Sequence, residues 1–388
     1  MTSGISSAAK GGTGNFIDGL ADRWFGLRNR LLASRDFHRL ASAFLPTRYI
    51  AKRRAMDLFD LVAGFVYSQV LLACVQLDVF NLLAKGPQTL DTLAPQLGLS
   101  HAATERLLAA AVSLQLIESR NGARYGLGVL GAPMAGNAAL AALVRHHSAL
   151  YSDLADPVAL LRGNGNSKRL AGYWPYAGAQ PPETLQTEQV AEYSALMSVS
   201  QTLVAHEILD AYPLQRHKHL LDIGGGEGAF LIQAAARSEQ LELSLFDLPA
   251  VAARAQEKLV QAGLGKRALA CGGDFFNEAL PQGADLATLI RVVHDHDDAR
   301  VAMLLKAAHA ALCPGGTLLL AEPMAATPGA QAMGDAYFGF YLLAMGRGQP
   351  RTAEKLTALL QSAGFVEVRL LPNRMTLQTR ILLARRSH

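Results

Sequence analysis

The sequence predicts an α/β fold: a Rossmann-like sheet, parallel except for one antiparallel C-terminal strand, preceded by a helical domain of winged-helix type. Residues 220–228 read as a buried strand, a glycine turn and the start of a helix, which typically begins an open nucleotide-binding sheet. From His219 onward, strand and helix patterns alternate regularly. Before that point helical patterns dominate, so the two halves of the chain differ in class.

Length and composition fit a globular protein of two domains. A chain of 388 residues exceeds the usual size of one domain, and half of its residues are hydrophobic. The net charge of +4 is mild and does not indicate nucleic acid as a partner. Cys74, Cys271 and Cys313 show no metal spacing, which predicts reduced thiols in a cytoplasmic protein. Met1–Thr13 lacks an apolar segment, so we expect no cleavable signal.

Residues 1–55 form a basic N-terminal extension. Met1–Gly14 is rich in Gly, Ser and Thr and predicts a disordered tail. A helical pattern starts at Phe16, and from there to Arg54 the chain has nine Arg or Lys residues but only three acidic residues. Such a basic amphipathic segment can lie on an anionic membrane, or it can pack on a partner subunit with its charged face in water. The sequence leaves both interpretations open.

Residues 56–182 are predicted to form the winged-helix-like domain. Met56–Phe80 reads as one or two helices whose apolar residues are too numerous for one exposed face, which suggests burial in an interface. Its longest apolar run, Leu61–Val75, is interrupted by Ser68 and Gln69. We expect it to be a buried helix, because it is too short to span a bilayer.

A helix-turn-helix pattern and a hairpin outline the winged helix. A short helix within 89–99 is followed by a second from Ser100 to Leu114, and Ile117–Leu127 reads as a hairpin. DNA binding would need exposed basic residues on the second helix, which is apolar instead. We therefore favour dimerisation. Residues 133–182 connect to a long helix over 183–211, which opens the second domain at 183–388.

The second domain alternates strands and helices. Five strands are predicted at Leu220–Ile223, Leu243–Phe246, Ala268–Cys271, Leu286–Val292 and Thr317–Ala321. Helices are predicted at Phe230–Arg237, Ala250–Ala262, Ala299–Leu312 and Thr352–Ala363. This alternation predicts a parallel sheet covered on both faces. Val366–Leu371 and Thr376–Ala384 are joined by a short turn, so they form a hairpin and the last strand runs antiparallel.

The glycine turn is the first candidate binding site. Gly224, Gly226 and Ala229 fit the dinucleotide pattern G-x-G-x-x-A, which alone is a weak signal. Asp222 at the strand tip would repel a pyrophosphate. It suits a ligand with a positive centre and no phosphate, such as the sulfonium and ammonium groups of S-adenosylmethionine.

Further polar residues follow the next strands. Asp247 ends the second strand, where an acid can accept both hydroxyls of a ribose. Asp274 and Phe275 follow the third strand and could bond and stack on an adenine. His294 follows the fourth strand and faces the same crevice, where its ordinary pKa suits a general base. A surface His/Asp loop or a metal site is the alternative for this segment.

In this order the motifs resemble the two-domain S-adenosylmethionine-dependent O-methyltransferases, from about Asp57 to the C-terminus. They are L-D-I-G-G-G-E-G at 221–228, F-D-L-P at 246–249, G-D-F-F at 273–276, H-D at 294–295 and R-T at 351–352. The resemblance implies a homodimer, no metal, and a cofactor site that includes Gly224, Asp247, Asp274 and Phe275. It also implies that His294 is the catalytic base and that Glu322 orients it.

The chain departs from the plant members of that family at three positions near the histidine. Their second glutamate, just before the R-T pair, is Pro350 here. The position of their cofactor-binding lysine is occupied here by Ile290. Arg291, the next residue, is a candidate cofactor contact. Two residues after the histidine, where an aromatic residue is usual, this chain has His296.

Residues 24–34 and 58–70 are similar to the carotenoid O-methyltransferases of purple photosynthetic bacteria. Those enzymes methylate the tertiary hydroxyl of hydroxyneurosporene or demethylspheroidene. The resemblance implies a hydrophobic carotenoid substrate and a cytoplasmic enzyme that sits peripherally on the inner photosynthetic membrane.

Three alternatives remain. The first is an O- or C-methyltransferase for a phenol, a polyketide or a bacteriochlorophyll precursor. The second is a winged-helix regulator that binds a small ligand, which a charged second helix would favour. The third is an NAD-dependent oxidoreductase, which binding of adenosylhomocysteine without NAD would exclude.

Overall fold

The computed structural model describes residues 12–164, 169–170, 201 and 204–387, with side chains from residue 21 onward. The chain divides into two compact units, Met1–Ala132 and Pro133–His388. The predicted domain boundary at 182–183, and most of the helix predicted over 183–211, lie outside the described residues. The described end of that helix, 204–211, is helical.

The first unit is mainly helical. Its helices are α1 Gly12–Ala33, α2 Arg35–Ala43, α3 Leu45–Gln76, α4 Val79–Ala84, α5 Leu90–Leu97 and α6 His101–Ser113. Its strands β1 Gln88–Thr89, β2 Ile117–Arg120 and β3 Arg124–Leu127 form one antiparallel sheet in the order β1-β3-β2. Ser100 caps α6 by accepting a hydrogen bond from the Ala103 amide at 3.2 Å. The predicted helix-turn-helix and hairpin are therefore confirmed.

Helix α3 differs from its prediction. It runs unbroken for 32 residues, and only Leu72, Cys74 and Val75 near its end are buried. Leu61 is 82% exposed and Phe65 is 69% exposed, so the expected buried helix is wrong for the single chain. By length and composition alone, it is the one described helix that could cross a membrane. The helix that contains Leu61–Val75 already begins at Leu45. The apolar run alone did not indicate a helix of this length.

The second unit carries the predicted open sheet. Its strands are β4 His219–Ile223, β5 Glu242–Asp247, β6 Ala268–Gly272, β7 Ala284–Ile290, β8 Leu312–Glu322, β9 Phe365–Leu371 and β10 Arg380–Arg386. Its helices are α7 Ala138–Asp153, α8 Pro157–Leu161, α9 Ala229–Arg237, α10 Pro249–Gln261, α11 Asp298–Ala311, α12 Phe338–Met345 and α13 Ala353–Ser362. The strand order is β6-β5-β4-β7-β8-β10-β9. β10 pairs antiparallel with both β8 and β9, while the other pairings of this sheet are parallel, which confirms the predicted fold class.

The sheet is buried on both faces. One apolar cluster includes Leu220, Leu231 and Leu245, and the other includes Leu221, Leu289 and Leu305. Leu220 and Leu221 are neighbours in β4 and point to opposite faces, which explains the continuous apolar sequence of this strand. The parallel strands β4, β5, β6, β7 and β8 end at one edge. The candidate residues that follow these strands therefore lie along that edge.

Candidate active site

The glycine turn is shaped by close packing. Gly224 has φ +69° and donates its amide hydrogen to the Phe246 carbonyl at 2.8 Å. A Cβ on Gly224 would lie 2.8 Å from Cγ2 of Val292, so a side chain does not fit there. At Gly226, with φ +58°, no described atom lies within 4 Å of a Cβ. The turn is thus packed against the sheet at Gly224 and open at Gly226.

Asp222 carries a buried carboxylate beneath this turn. Its Oδ1 accepts a hydrogen bond from the Thr288 hydroxyl at 2.6 Å. Its Oδ2 is buried and has no hydrogen-bond partner among the described residues. Burial raises the pKa of Asp222 to about 7; the Thr288 bond partly offsets this, and the charge of Asp247 adds to it. An unpaired carboxylate oxygen of this kind fits a ligand that brings positive charge.

Asp247 ties the glycine turn to β5. Its two carboxylate oxygens accept hydrogen bonds from the amides of Gly226 at 2.8 Å and Leu248 at 2.7 Å. Burial raises the pKa of Asp247 to about 6, against the lowering effect of these two bonds. The side chain therefore stabilises the turn itself, and its predicted contact with a ribose stays a prediction.

Asp274 and Phe275 follow β6 at the same edge. The Asp274 carboxylate accepts from the Phe276 amide at 2.9 Å and from the Asn277 side chain at 2.7 Å. Phe275 is half-buried, and its ring meets the ring of His296 edge-on with centroids 5.7 Å apart. Burial lowers the pKa of His296 to about 4, so this ring is neutral and serves as packing surface.

His294 and Glu322 meet where β7 and β8 end. These strands are parallel neighbours in which Ile290 pairs with Ala321, so the residues after Ile290 reach Glu322. Oε1 of Glu322 accepts the amides of Val292 at 2.9 Å and Val293 at 2.6 Å. Its Oε2 pairs with Nδ1 of His294. Since Nδ1–H donates to this carboxylate, Nε2 is the nitrogen left for proton transfer.

The surroundings of His294 make it a stronger base than an ordinary histidine. Burial lowers its pKa, but the charges of Asp295 and Glu322 outweigh burial, so the net pKa is raised. Arg291 acts in the opposite direction on His294. Arg291 has the unusual φ of +58° and donates its amide hydrogen to the Ala321 carbonyl at 2.8 Å. Its predicted contact with a cofactor stays a prediction.

Arg351 fastens the turn Val293–Asp295 that carries the histidine. Its guanidinium donates to the carbonyls of Val293 at 3.0 Å and His296 at 2.6 Å, and to Asp298 at 2.8 Å. The arginine is only 5% exposed. The arginine of the R-T motif therefore has a structural role in this chain: it holds the backbone on both sides of His294. The sequence did not indicate this role.

An aromatic wall stands beside the histidine ring. A π-helix at Ala332–Tyr337 leads into α12, where Phe338 meets His294 edge-on with ring centroids 6.1 Å apart. The Tyr337 hydroxyl is 2.9 Å from Nε2 of His147, and the Tyr341 hydroxyl is 2.9 Å from Nε2 of His146. Neither histidine was singled out from the sequence, since each lies in helix α7, about 190 residues from its partner.

No group of three or more His, Cys, Asp or Glu side chains that could hold a metal ion occurs within residues 21–164, 169–170, 201 and 204–387. The polar groups at the sheet edge instead separate into two places. Asp222, Asp247 and the glycine turn lie at the ends of β4 and β5, while His294 and Glu322 lie at the ends of β7 and β8. The first place can bind a ligand with positive charge, and the second can move a proton.

Comparison with known proteins places this arrangement in a family. Residues 151–366 match the family model of the O-methyltransferase domain, and residues 59–135 match the O-methyltransferase dimerisation domain. Demethylspheroidene O-methyltransferase of Cereibacter sphaeroides is 42% identical over 88% of this chain and 90% of its own. The protein of that name from Rhodobacter capsulatus is 40% identical over 87% and 84%.

A solved structure gives the same result. Human N-acetylserotonin methyltransferase in complex with SAM is 25% identical, with a TM-score of 0.66 over 86% of this chain and 98% of its own. The chain therefore belongs to the O-methyltransferase family, as an S-adenosylmethionine-dependent enzyme. The dimerisation domain in its first unit supports a homodimer.

Proposed function

We propose that this enzyme transfers a methyl group from S-adenosylmethionine to the tertiary hydroxyl of an acyclic carotenoid, in a pathway of spheroidene type. The observation that carries the proposal is the 42% identity to demethylspheroidene O-methyltransferase, which extends over 90% of that relative. The buried pair of His294 and Glu322 supports it, because methylation of an alcohol needs a base at the acceptor oxygen.

The residues at the ends of β4, β5 and β6 fit the cofactor. The unpaired Oδ2 of Asp222 offers negative charge to its positive centre, and the open face of Gly226 leaves room for close approach. Asp247 orders the turn, and Asp274 with Phe275 lies on the adjoining strand end. Bound S-adenosylmethionine supplies a methyl group that is already activated on a sulfonium. The chain's own task is to align the acceptor oxygen with that methyl group.

His294 supplies the base. Nε2 removes the hydroxyl proton as the new O–C bond forms, and Glu322 holds Nδ1 so that the correct nitrogen faces the acceptor. The aromatic side chains of Tyr337, Phe338 and Tyr341 give the acceptor an apolar wall. A polyene alcohol suits such a wall better than a charged substrate does.

The test is a methyl-transfer assay. Purified protein with labelled S-adenosylmethionine is offered 1-hydroxy-carotenoids in detergent and, in parallel, a panel of phenols and polyketides. We expect label in the carotenoids. Label in the phenols alone would discard the carotenoid proposal and keep the enzyme class, in line with relatives such as acetylserotonin O-methyltransferase of Mus musculus.

A glycine substitution tests the cofactor site separately. Gly226→Ala places its Cβ in open space at φ +58°, so we expect a fold that is strained by about 1–2 kcal/mol and an affinity for adenosylhomocysteine that falls at least about tenfold. Gly263→Ala is the matched control, because it has φ +77°, open space around its Cβ, and a position after α10 away from the turn. Calorimetric titration measures both variants, and equal affinities would remove the glycine turn from the cofactor site.

We further propose that the enzyme works in the cytoplasm, peripherally bound to the inner photosynthetic membrane through its basic extension. Helices α1, α2 and α3 line an open apolar groove of about 870 Å³ whose lining includes Leu40, Phe44 and Ile50, with Arg28 and Arg54 among the lining residues. Apolar surface beside arginines suits the acyl chain and the anionic headgroup of a phospholipid. A carotenoid acceptor dissolved in the same membrane would be within reach.

Charge reversal tests this proposal. Arg28→Glu with Arg54→Glu should weaken binding to phosphatidylglycerol vesicles by at least about tenfold, since each basic group near the surface contributes about 1 kcal/mol. Arg216→Glu with Lys266→Glu changes the net charge equally at exposed sites of the second unit and should have little effect. Vesicle flotation measures binding, and light scattering follows the dimer. Loss of the dimer with unchanged flotation would assign the extension to the partner subunit.

A further inference from the structure

Both ring nitrogens of His294 face a carboxylate. Nδ1 pairs with Glu322, and Nε2 lies 3.1 Å from Oδ1 of Asp295. The imidazole is buried, and the side chain of Asp295 is only 12% exposed. The base proposed above is therefore enclosed by negative charge on both sides.

The two carboxylates are held differently. Glu322 is satisfied by two backbone amides as well as by the imidazole. Oδ1 of Asp295 is buried and makes no hydrogen bond of good geometry in the part of the chain that the structure describes. A buried carboxylate oxygen without a partner is costly, and burial raises the pKa of Asp295 to about 6, although the His294 charge lowers it. A protonated His294 can satisfy this oxygen through Nε2–H, because Nε2 lies 3.1 Å from it.

We propose that Asp295 is a second carboxylate partner of His294. In the resting enzyme it covers Nε2 and holds the proton on that nitrogen; when this proton is released to solvent, Asp295 turns aside so that Nε2 can take the proton of the acceptor hydroxyl, and it then stabilises the imidazolium that forms. The inference rests on the proposed role of His294 as base. The base strength of His294 then depends on two carboxylates: Glu322, which backbone amides hold in place, and Asp295, whose side chain can turn aside.

The main chain at His294 and Asp295 is closely packed against the segment around Gly348. The Gln349 amide donates to the His294 carbonyl at 2.9 Å. Gly348 packs so closely that a Cβ there would lie 2.1 Å from that carbonyl oxygen and 2.9 Å from Cα of Asp295. With the main chain fixed, rotation about the Asp295 side-chain bonds is the movement that exposes Nε2.

Charge balance explains why a second carboxylate is useful. As the O–CH₃ bond forms, the S–CH₃ bond breaks and the hydroxyl proton passes to Nε2. The positive charge lost from sulfur therefore reappears on the His294 ring, between Glu322 and Asp295. A tertiary alcohol is a very weak acid, so it needs a stronger base than a phenol does, and carboxylates near an imidazole raise its basicity.

Other groups face the histidine from the elements around it. Arg291, at the end of β7, lowers the pKa of both His294 and Asp295. Phe338 of α12 contributes an uncharged ring. His296 is neutral because burial lowers its pKa to about 4. The raising effects on His294 therefore come from Glu322 and Asp295.

The test measures the pKa of His294 directly, in protein labelled with ¹⁵N-histidine and saturated with adenosylhomocysteine. Asp295→Asn should lower this pKa by about one unit or more, since it removes an adjacent opposite charge. The acidic limb of the kcat profile should move to lower pH by the same amount, because the base form then persists to lower pH. The kcat for the carotenoid should fall about tenfold, and less for a phenol that is already ionised.

Asp297→Asn is the matched control. Asp297 is exposed and caps α11 by accepting from the Arg300 amide at 2.9 Å, a bond that asparagine can also make. If Asp295→Asn leaves the pKa of His294 where it is in the control, the inference is wrong, even if kcat falls. If that variant does not fold, Asp295→Glu should keep the raised pKa, and an ordinary value there would also overturn the inference. A shifted pKa without carotenoid methylation would instead reject only the proposed substrate.

Discussion

Replacing His294 with alanine is expected to reduce kcat by about 10²–10⁴, the usual contribution of a positioned general base. The affinity for adenosylhomocysteine should stay within about twofold, because the His294 side chain meets Glu322, Asp295 and Phe338 rather than the glycine turn. Rapid-quench measurement of a single turnover gives the chemical step, and calorimetric titration gives the affinity.

His101→Ala is a suitable control for that experiment. His101 is exposed at the start of α6, where it lies 3.4 Å from Asp91. It should keep the turnover of the parent enzyme. Retained turnover in His294→Ala would remove His294 from the mechanism, and a parallel loss of cofactor affinity would point to a binding role instead.

Glu322→Gln is expected to have an effect of similar size by a different route. A glutamine carbonyl can still accept the amides of Val292 and Val293, so the turn should keep its shape. The amide NH₂ would then face Nδ1 and favour the tautomer in which Nε2 carries the proton. Because that nitrogen can no longer act as a base, kcat should fall by about 10²–10⁴ while cofactor affinity holds.

Glu322→Ala tests whether the carboxylate stabilises the fold in addition to orienting His294. Alanine leaves two buried amides and the imidazole without their acceptor, so we expect the free energy of unfolding to fall by about 3–5 kcal/mol as well. Urea denaturation measures this difference. Glu242→Gln, at the exposed start of β5, should change neither kcat nor the free energy of unfolding. If Glu322→Gln keeps full turnover, the carboxylate does not set the tautomer of His294.

The fold could be read from the sequence where local signals were strong. Period, turn residues and caps located the strands from β4 to β10 and the hairpin of the first unit closely, except that β8 begins at Leu312 rather than Thr317 and β10 at Arg380 rather than Thr376. Helix α3 was harder, because its apolar face is exposed in the single chain. A pattern of apolar residues shows that a face avoids water, but it does not show whether the same chain, a partner or a lipid covers it.

The pairing of His294 with Glu322 was predicted from the resemblance to known O-methyltransferases, and the strand order supplies its physical basis. Adjacent parallel strands bring the ends of β7 and β8 together, so the proximity of His294 and Glu322 follows from topology. The bond from Thr288 to Asp222, the clamp of Arg351 and the approach of Asp295 to Nε2 depend on side-chain directions. Those directions are set by packing between residues far apart in sequence, for which a single sequence carries no signal.

The position of β10 has a consequence for synthesis on the ribosome. This last strand, Arg380–Arg386, fills the slot between β8 and β9 and pairs with both. Until it emerges, the apolar β8 has one edge without a neighbour, and such an edge can pair with another chain. The nascent protein therefore carries an aggregation-prone edge on β8 until residues 380–386 have left the ribosome, so slow synthesis of the segment between β8 and β10 would expose that edge for longer.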